Sequence, residues 1–261
     1  MPVRDAHLVI AVDCGSTRTH VGLVDTGRRT CLFRRDFLSS EIDRCLPEAF
    51  GRIKNIISSA PAVITGGRGG SAHTVEKIMK KYGLKSITRL SWHAHLPLRF
   101  RYVRPETLGA DRIADALYAA AAYPRRNVII IDAGTAITVD AVSRSAEFAG
   151  GTILAGIEVQ LYGLHAAAGA LRALPVVAIP GKRIPFPGNS TESCMQAGTA
   201  YGTAGALNHL VRMFRSSLGK KCLVLATGGG WHVIRNLVDF KFIEVPDMTL
   251  IGTALYALYQ P

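Results

Sequence analysis

Residues 9–25 read VIAVDCGSTRTHVGLVD, and residues 128–143 read VIIIDAGTAITVDAVS. Superposing Asp13 on Asp132 also aligns the glycine and the hydroxyl residue that follow each aspartate. Each copy is a short β-branched run that ends in Asp-x-Gly and is followed by a second β-branched stretch. This pattern predicts a strand, a tight turn and a second strand. The glycine allows the turn a backbone geometry that is closed to other residues.

A second repeat follows the first in each copy. Residues 62–67, AVITGG, and residues 223–229, LVLATGG, both predict buried strands that end in Thr-Gly-Gly. Segments that could be helical follow them, near 71–81 and near 231–237. Two repeats in the same order indicate a chain built from two halves.

Further helix signals lie between and after these repeats. Residues 109–123 are rich in alanine and bounded by glycine and proline, which predicts a helix. Helices are also expected over 161–174 and 191–210, with a proline-rich loop at 180–190. Strands alternating with helices indicate α/β domains with a shared cleft. We place the two halves at residues 1–120 and 121–261.

Composition limits the classes of function. Of the 261 residues, 48% are hydrophobic and 19% are charged, as in a packed globular protein rather than a disordered one. No apolar run approaches the roughly 18 residues that a membrane span requires, and no targeting segment is evident. We therefore expect a cytoplasmic protein without a membrane partner. Five scattered cysteines without a C-x-x-C pair argue against a disulfide framework and a zinc site.

The net charge of +12 raises the question of an acidic partner, since such a balance can indicate nucleic-acid or membrane-surface binding. The basic residues occur as scattered doublets such as Arg28-Arg29, without a longer run and without interleaved aromatic residues. The pattern favours a solvated basic surface, and we expect no nucleic-acid partner.

The two Asp-x-Gly turns have the composition of a phosphate site. Consecutive backbone amides and hydroxyl groups suit phosphate oxygens. The aspartates suit Mg²⁺, which binds one or two carboxylates together with substrate phosphates. Two such turns facing each other would clamp a nucleoside triphosphate. An aspartate in a turn often only caps it, and a single turn would favour that interpretation, whereas the matched pair favours the clamp.

Asp111 is a candidate for the group that orients an attacking hydroxyl or takes its proton in phosphoryl transfer. Arg112 beside it could pair with an anionic substrate. The alternative is a helix-capping aspartate beside a surface arginine, and the spacing alone favours that alternative. Asp115, one helical turn further, is expected to be solvated, and its charge could raise the pKa of Asp111.

Other motifs give weaker signals. The glycine-rich turn at 227–230 would let the backbone lie against a purine, although such turns are common. The eight histidines show no ligand spacing. The sequence contains neither a G-x-S-x-G elbow nor a G-x-x-x-x-G-K-[ST] loop, so hydrolase and P-loop functions are not supported.

These motifs resemble those of the type III pantothenate kinases, within the acetate/sugar kinase–Hsp70–actin superfold. The resemblance runs nearly from end to end. It rests on residues 13–17 (DCGST), 109–112 (GADR), 132–140 (DAGTAITVD), 150–153 (GGTI), Thr191 before 196–198 (QAG), and 227–229 (TGG). It implies duplicated actin/ribonuclease H-like halves with a nucleotide cleft between them. It also implies ATP-dependent phosphorylation of the primary hydroxyl of pantothenate, the first step of coenzyme A biosynthesis.

The resemblance further implies a set of site residues and a homodimer. Asp111 would be the catalytic base, Asp13 would hold Mg²⁺, and Asp132 would bind a monovalent cation, K⁺ or NH₄⁺. The residues that would bind the ATP phosphates are Asp13, Cys14, Gly15, Ser16, Thr17, Arg18, Thr19, His20 and Thr135. Those that would bind pantothenate are Tyr102, Gly109, Ala110, Asp111, Arg112 and Thr191. The adenosine side would be Thr227, Gly228 and Gly229. The substrate pocket would be completed across the subunit interface.

Three residues depart from the family's pattern. Ser16 and Asp115 stand where the family usually has asparagine, and Ala155 stands where it has proline. None of these departures removes a charged catalytic group. The sequence leaves two alternatives open: a non-catalytic transcriptional accessory protein on the same scaffold, and a kinase of the superfold with another acceptor. The G-x-D-R motif and Thr191 weigh against the second.

Overall fold

The structure is a computed structural model that describes residues 8–57, 59–67, 70–93, 95–168, 171 and 184–259. The chain forms two compact units. The first comprises the described parts of Met1–Arg126, Val142–Gly150 and Asp247–Pro261, and the second those of Asn127–Ala141 and Gly151–Pro246. These units interleave along the chain. The functional halves expected at 1–120 and 121–261 stay a prediction.

A five-stranded sheet lies in the first unit. Its strands are β1 (Leu8–Cys14), β2 (Arg18–Asp25), β3 (Thr30–Leu38), β4 (Ala62–Gly66) and β5 (Ile87–Arg89). Their order is β3-β2-β1-β4-β5. β1 and β2 form the predicted antiparallel hairpin, with Asp13 opposite His20. β4 runs parallel to β1 and places Thr65 opposite Asp13.

A six-stranded sheet repeats this arrangement. Its strands are β6 (Arg99–Phe100), β7 (Val128–Ala133), β8 (Ala136–Val142), β9 (Glu147–Ala155), β10 (Leu223–Thr227) and β11 (Ile243–Glu244). The order is β11-β10-β7-β8-β9-β6, so that, apart from β6, each strand has a counterpart in the first sheet. β10 runs parallel to β7 and places Thr227 opposite Asp132. The two predicted repeats are therefore confirmed as the same strands in the same order.

The described residues form eight α-helices. They are α1 (Ile42–Arg52), α2 (Lys54–Ile57), α3 (Ser71–Lys81), α4 (Ala110–Ala122), α5 (Ile157–Ala167), α6 (Thr191–Leu218), α7 (Trp231–Ile234) and α8 (Met248–Leu255). The predicted helices near 71–81 and 109–123 are confirmed as α3 and α4. Among the described residues, no helix is long and apolar enough to cross a membrane.

Three helices differ from the predicted bounds. α5 begins before residue 161, and its first turn is closed by the Gln160 amide, which donates to the carbonyl of Gly156 (2.9 Å). Residues 169–170 and 172–183 lie outside the described residues. They include parts of the helix expected over 161–174 and of the loop expected over 180–190. α6 continues to Leu218 and ends at Gly219, which has a φ of 106°. α7 is one turn, since a tight turn bond from Leu237 N to Ile234 O follows it.

Each sheet packs against helices through an apolar core. In the first unit the core includes residues of the strands and of α1 and α3, among them Ile10, Leu46, Phe50, Ile64 and Met79. In the second it includes residues of β7, α6, β10 and α7, among them Ile129, Leu207, Val224 and Trp231. Alternate residues of the strands supply these cores, as expected for a side-chain period of two.

Helix α8, which the sequence motifs do not predict, packs against both α4 and the first sheet. A Cβ atom on Gly252 would lie 1.9 Å from the carbonyl oxygen of Ala114 in α4, so the two helices touch backbone to backbone. The next residue, Thr253, places its hydroxyl 2.7 Å from that of Thr65 in β4, and both threonines are fully buried. α8 therefore determines how far α4 lies from β1 and β4.

We expect Gly252→Ala to lower the free energy of unfolding by about 1–3 kcal/mol, because the added methyl group forces α4 and α8 apart. The matched control is Gly205→Ala in α6, where a Cβ would meet no atom of the described residues within 4 Å. This control should be neutral or stabilising by up to about 1 kcal/mol, since alanine favours helix. Urea unfolding of both variants checks the prediction, and an unchanged midpoint for Gly252→Ala would contradict it.

Candidate active site

Two carboxylates lie within electrostatic reach of each other in the first unit. Asp13 is partly buried near the end of β1, and Asp111 is exposed in the first turn of α4. Burial raises the pKa of Asp13 from 3.8 to about 7; nearby His20 opposes this shift, and the charge of Asp111 adds to it. The two carboxylates repel each other when both are ionised, so a cation bound between them would relieve the repulsion.

The donor set at this pair fits Mg²⁺ held together with a phosphate-bearing molecule. Among the described residues, no group of three or more His, Cys, Asp or Glu side chains could hold a metal by itself. Mg²⁺ commonly uses one or two carboxylates and takes its other ligands from water and substrate phosphates. A partly buried Asp13 next to a turn rich in hydroxyl groups meets that requirement.

Ser39 holds the turn that follows β1. Its hydroxyl donates to the carbonyl oxygen of Gly15 (2.8 Å) and lies 3.0 Å from the hydroxyl of Thr19. Its amide donates to the carbonyl oxygen of Thr17 (3.0 Å). Gly15 has no room for a side chain, because a Cβ would lie 2.6 Å from the carbonyl oxygen of Arg18. The motif did not reveal Ser39, since Ser39 lies beyond the next two strands, β2 and β3, in the sequence.

The turn presents some of its predicted phosphate ligands and buries others. The exposed side chains are those of Ser16, Thr17 and Arg18. Cys14 is buried, and its thiol stays protonated because burial, with a further contribution from Asp13, raises its pKa to about 12 against the opposing charge of Arg89. Thr19 is fully buried, and its hydroxyl is engaged by Ser39. Cys14 and Thr19 therefore leave only their backbone groups for a phosphate.

A chain of ion pairs orients His20 on the strand beside Asp13. Nδ1 of His20 donates to Oδ1 of Asp36 (2.7 Å), and Nε of Arg34 donates to both oxygens of the same carboxylate (2.9 and 3.0 Å). Arg34 also donates to Asp247 (2.7 Å). Burial would raise the pKa of Asp36, but the hydrogen bonds from His20 and Arg34 outweigh it and hold that pKa well below its usual range. Sequence reasoning singled out His20 but missed Asp36 and Asp247.

The start of α4 brings two predicted pantothenate ligands together. The Cζ atom of Arg112 lies 6.0 Å from the ring centroid of Tyr102 and 5.6 Å from that of Phe148. Arg112 is only 6% exposed, so the alternative of a surface arginine is wrong. Phe148, in β9, belongs to no motif, and a single phenylalanine in a strand carries no signal that would have singled it out.

The two aspartates of α4 occupy different environments. Asp111 is exposed and its Oδ1 accepts a hydrogen bond from the amide of Arg112 (2.8 Å), whereas the N-cap of α4 is Gly109, without a side-chain capping bond. A Cβ on Gly109 would lie 2.4 Å from that oxygen, so a side chain there would displace the Asp111 carboxylate. Asp115 is 2% exposed, so its expected solvation is wrong. It is buried because α4 is covered on every side over residues 112–117.

In the second unit, the Thr-Gly-Gly turn lies directly against the Asp132 turn. Gly228 has a φ of 93°, and a Cβ there would lie 2.5 Å from Oδ1 of Asp132 and from the backbone of Ala133. Gly230 donates its amide to the carbonyl of Ala133 (2.7 Å). Thr227 is buried, and its hydroxyl donates to the carbonyl oxygen of Pro246 (3.4 Å). The predicted adenosine-side residues and the predicted cation ligand therefore adjoin.

The remaining candidates of the second unit are exposed. Thr135 lies in the turn after β7, and its carbonyl accepts the Gly156 amide (2.9 Å) that precedes α5. Thr191 is the first residue of α6, directly after Ser190, whose hydroxyl accepts from the amide of Ser193. This capping box fixes where α6 begins, and hence where Thr191 lies in the unit.

Comparison with known proteins decides the family. Residues 9–213 match the family model of type III pantothenate kinase. The chain belongs to the type III pantothenate kinase family. It is a family of ATP-using kinases, and membership supports pantothenate phosphorylation in coenzyme A biosynthesis.

Relatives and a solved structure agree with this assignment. The chain is 30% identical over 268 residues to the type III pantothenate kinase of Dehalococcoides mccartyi, across 97% of this chain and 95% of the relative. It is 34% identical over 157 residues to that of Porphyromonas gingivalis, a match that spans 60% of this chain and 63% of the relative. The Clostridium difficile activator of 2-hydroxyisocaproyl-CoA dehydratase, solved with bound ADPNP, shares the fold with a TM-score of 0.55 at 12% identity, over 96% of this chain and 94% of that one. The expected actin-like α/β fold is confirmed.

The raised pKa of Asp13 makes stability depend on pH. In the folded protein Asp13 ionises near pH 7, whereas in the unfolded chain it ionises near 3.8, so its contribution to the free energy of unfolding falls as the pH rises between these values. We expect Asp13→Asn, without Mg²⁺, to raise the unfolding midpoint more at pH 8 than at pH 5, measured by calorimetry. Glu48→Gln, exposed in α1, is the control. An Asp13→Asn shift of equal size at both pH values would contradict the prediction.

Proposed function

We propose that this chain transfers the γ-phosphoryl group of ATP to the primary hydroxyl of pantothenate, giving 4′-phosphopantothenate. Family membership supports this activity, and the structural observation that carries it is the pairing of Asp111, in the family's G-x-D-R motif, with Asp13 in the same unit. Asp111 can then accept a proton, and Asp13, which is suited to a metal–phosphate complex, lies within electrostatic reach of it. The cytoplasmic location expected from the sequence stays a prediction.

Asp111 acts as the base on the acceptor. Its carboxylate is exposed to an incoming hydroxyl, and the hydrogen bond from the Arg112 amide holds one of its oxygens. As the hydroxyl oxygen attacks the γ-phosphorus, its proton passes to Asp111, the bond to the β-phosphate oxygen breaks, and ADP leaves. The pantothenate ligands that we assign around it are Tyr102, Gly109, Ala110, Arg112 and Thr191.

The turn after β1 binds the phosphates of ATP. Exposed hydroxyl groups and backbone amides at Gly15, Ser16 and Thr17, together with the charge of Arg18, suit anionic oxygens. Ser39 fixes the backbone of this turn in advance. We assign Thr135 to ATP as well, and the turn at 227–229 to the adenosine. Mg²⁺, which Asp13 would hold, supplies neutralisation of the charge that develops on the phosphoryl oxygens.

Asp132 is assigned to a monovalent cation, K⁺ or NH₄⁺. It is a partly buried carboxylate against which the backbone of Gly228 is closely packed. Carboxylate and carbonyl oxygens suit hard cations of this kind. A cation there would stabilise both the Asp132 turn and the Thr-Gly-Gly turn that lies on it.

ADP release should require both pantothenate and Mg²⁺ and should increase when K⁺ is added. We expect Asp111→Asn to lower kcat about 10²–10⁴-fold, the usual contribution of a general base, without lowering the unfolding midpoint. Asp43→Asn is the matched control, since Asp43 is likewise an exposed aspartate in the first turn of a helix. A coupled ADP assay with mass detection of the product measures both. Wild-type protein that leaves pantothenate unphosphorylated with every cation supplied would show the assignment to be wrong.

We further propose a homodimer, with the substrate pocket completed across the subunit interface. Support comes from an apolar surface on β9 and α5 in the second unit. Its exposed members are Ile153 (65% exposed), Val159 (39%), Tyr162 (69%) and Leu164 (42%). Four exposed large apolar side chains within residues 153–164 are typical of a protein–protein interface. A second copy of the chain would bury it.

Tyr162→Glu should convert the dimer to monomer, because it places a charge among these exposed apolar side chains. The control is Leu32→Glu on β3, another exposed apolar side chain (52% exposed) outside the surface. Sedimentation velocity at several protein concentrations gives the mass of each. A wild-type monomer, or a Tyr162→Glu protein that stays dimeric, would contradict the proposed interface.

A further inference from the structure

The hydroxyl group of Ser39 links the two ends of the turn that follows β1. It donates its proton to the carbonyl oxygen of Gly15 (2.8 Å) and lies 3.0 Å from the hydroxyl of Thr19. A serine hydroxyl has a single proton to donate and two lone pairs. Because that proton goes to Gly15, the contact with Thr19 requires Thr19 to be the donor. A directed chain of hydrogen bonds therefore runs from Thr19 through Ser39 to Gly15.

The position of Ser39 is determined by the strand that precedes it. Leu38, the last residue of β3, pairs with Arg18 at the start of β2. Ser39 follows directly and begins a short turn of 3-10 helix, Ser39–Glu41. Its amide donates to the carbonyl oxygen of Thr17 (3.0 Å), and this backbone bond does not involve the side chain. Changing the side chain of Ser39 therefore leaves the turn attached to β3.

The hydrogen bond to Gly15 sets the direction of the peptide group between Gly15 and Ser16. In a planar trans peptide the C=O and N–H bonds point in opposite directions. Among the described residues the cis peptide bond is Phe186-Pro187, so the peptide group after Gly15 is trans. Since the carbonyl of Gly15 faces Ser39, the amide of Ser16 faces away from Ser39.

The glycine at position 15 makes this restraint necessary. A Cβ there would lie 2.6 Å from the carbonyl oxygen of Arg18, so the close packing requires glycine. Glycine also has the widest choice of backbone conformations, so the peptide group after it can rotate unless its carbonyl is held. A rotated peptide group would direct a carbonyl oxygen, instead of an amide, at an anionic ligand. Ser39 opposes this rotation by holding the carbonyl of Gly15.

We propose that Ser39 is a positioning residue for the phosphate tail of ATP, because it holds the Gly15 carbonyl and thereby keeps the Ser16 amide directed at a phosphate oxygen. Donors aimed at an anion contribute most when their direction is fixed before the anion binds. The inference rests on the proposed assignment of this turn to ATP. It goes beyond that assignment by attributing the affinity for the tail to a residue outside the Asp-x-Gly motif.

The test compares ligands with and without phosphates on the full chain. We expect Ser39→Ala to raise the dissociation constant of Mg²⁺-ATP about tenfold, as for a lost buried hydrogen bond, and that of adenosine by less than about twofold. Isothermal titration calorimetry without pantothenate measures both constants. In the kinase assay the KM for ATP should rise by the same factor, while the KM for pantothenate stays close to the wild-type value. A general loss of structure would weaken every ligand instead.

Two further variants check that the hydroxyl group is responsible. Ser39→Thr keeps the hydroxyl and should restore the affinity for ATP. Ser143→Ala is the matched control, since the Ser143 hydroxyl accepts from the amides of Ser145 and Glu147 (3.3 Å each) in the turn between β8 and β9. This control should bind ATP as the wild type does. Unfolding midpoints are measured for every variant, and Ser39→Cys, whose thiol is a weak donor, replaces Ser39→Ala if the latter does not fold.

The outcomes separate the inference from the proposed function. Unchanged ATP binding in Ser39→Ala, equal losses for ATP and adenosine, or the same loss in Ser143→Ala would overturn the inference and leave the kinase activity intact. Wild-type protein that binds ATP but leaves pantothenate unphosphorylated would overturn the proposed function alone. Wild-type protein that binds no ATP would overturn both.

Discussion

The pairing of a threonine with an aspartate across two parallel strands underlies the architecture of both sheets. Thr65 lies opposite Asp13, and Thr227 lies opposite Asp132. The glycine that follows each threonine has a positive φ and packs against the backbone just after the aspartate, where a Cβ would lie only 2.5 Å from another atom. No other residue allows this approach. Each Asp-x-Gly turn is thereby backed by a second chain segment.

This close packing has an electrostatic consequence in the first unit. Asp13 is drawn out of water beside a second carboxylate, and its pKa rises accordingly. A group held in this way destabilises the folded chain at neutral pH, and a bound cation would remove that penalty. Sites that bind metal and phosphate commonly retain such unfavourable charges, because the bound ligand offsets them.

The helix that carries Asp111 is constrained from several directions within the first unit. α8 lies against it through Gly252, and the side chain of Arg112, the residue after Asp111, lies near the rings of Phe148 and Tyr102. Buried Arg112 and exposed Asp111 are adjacent in sequence, so fixing one limits the movement of the other. The geometry at the start of α4 therefore depends on residues from three separate parts of the chain.

Local sequence patterns determined the hairpins, the Thr-Gly-Gly strands, α3, α4 and the family, because each is encoded in a contiguous segment whose periodicity or glycine placement is visible directly. Tertiary structure alone decided which polar side chains of α4 are buried, since an alanine-rich helix shows little contrast between its faces. It also decided the partners of the site: Ser39 beneath the first turn, Asp36 on His20, and Phe148 on Arg112. Each of these contacts joins residues that are distant in sequence, and only the packing of strands and helices brings them together.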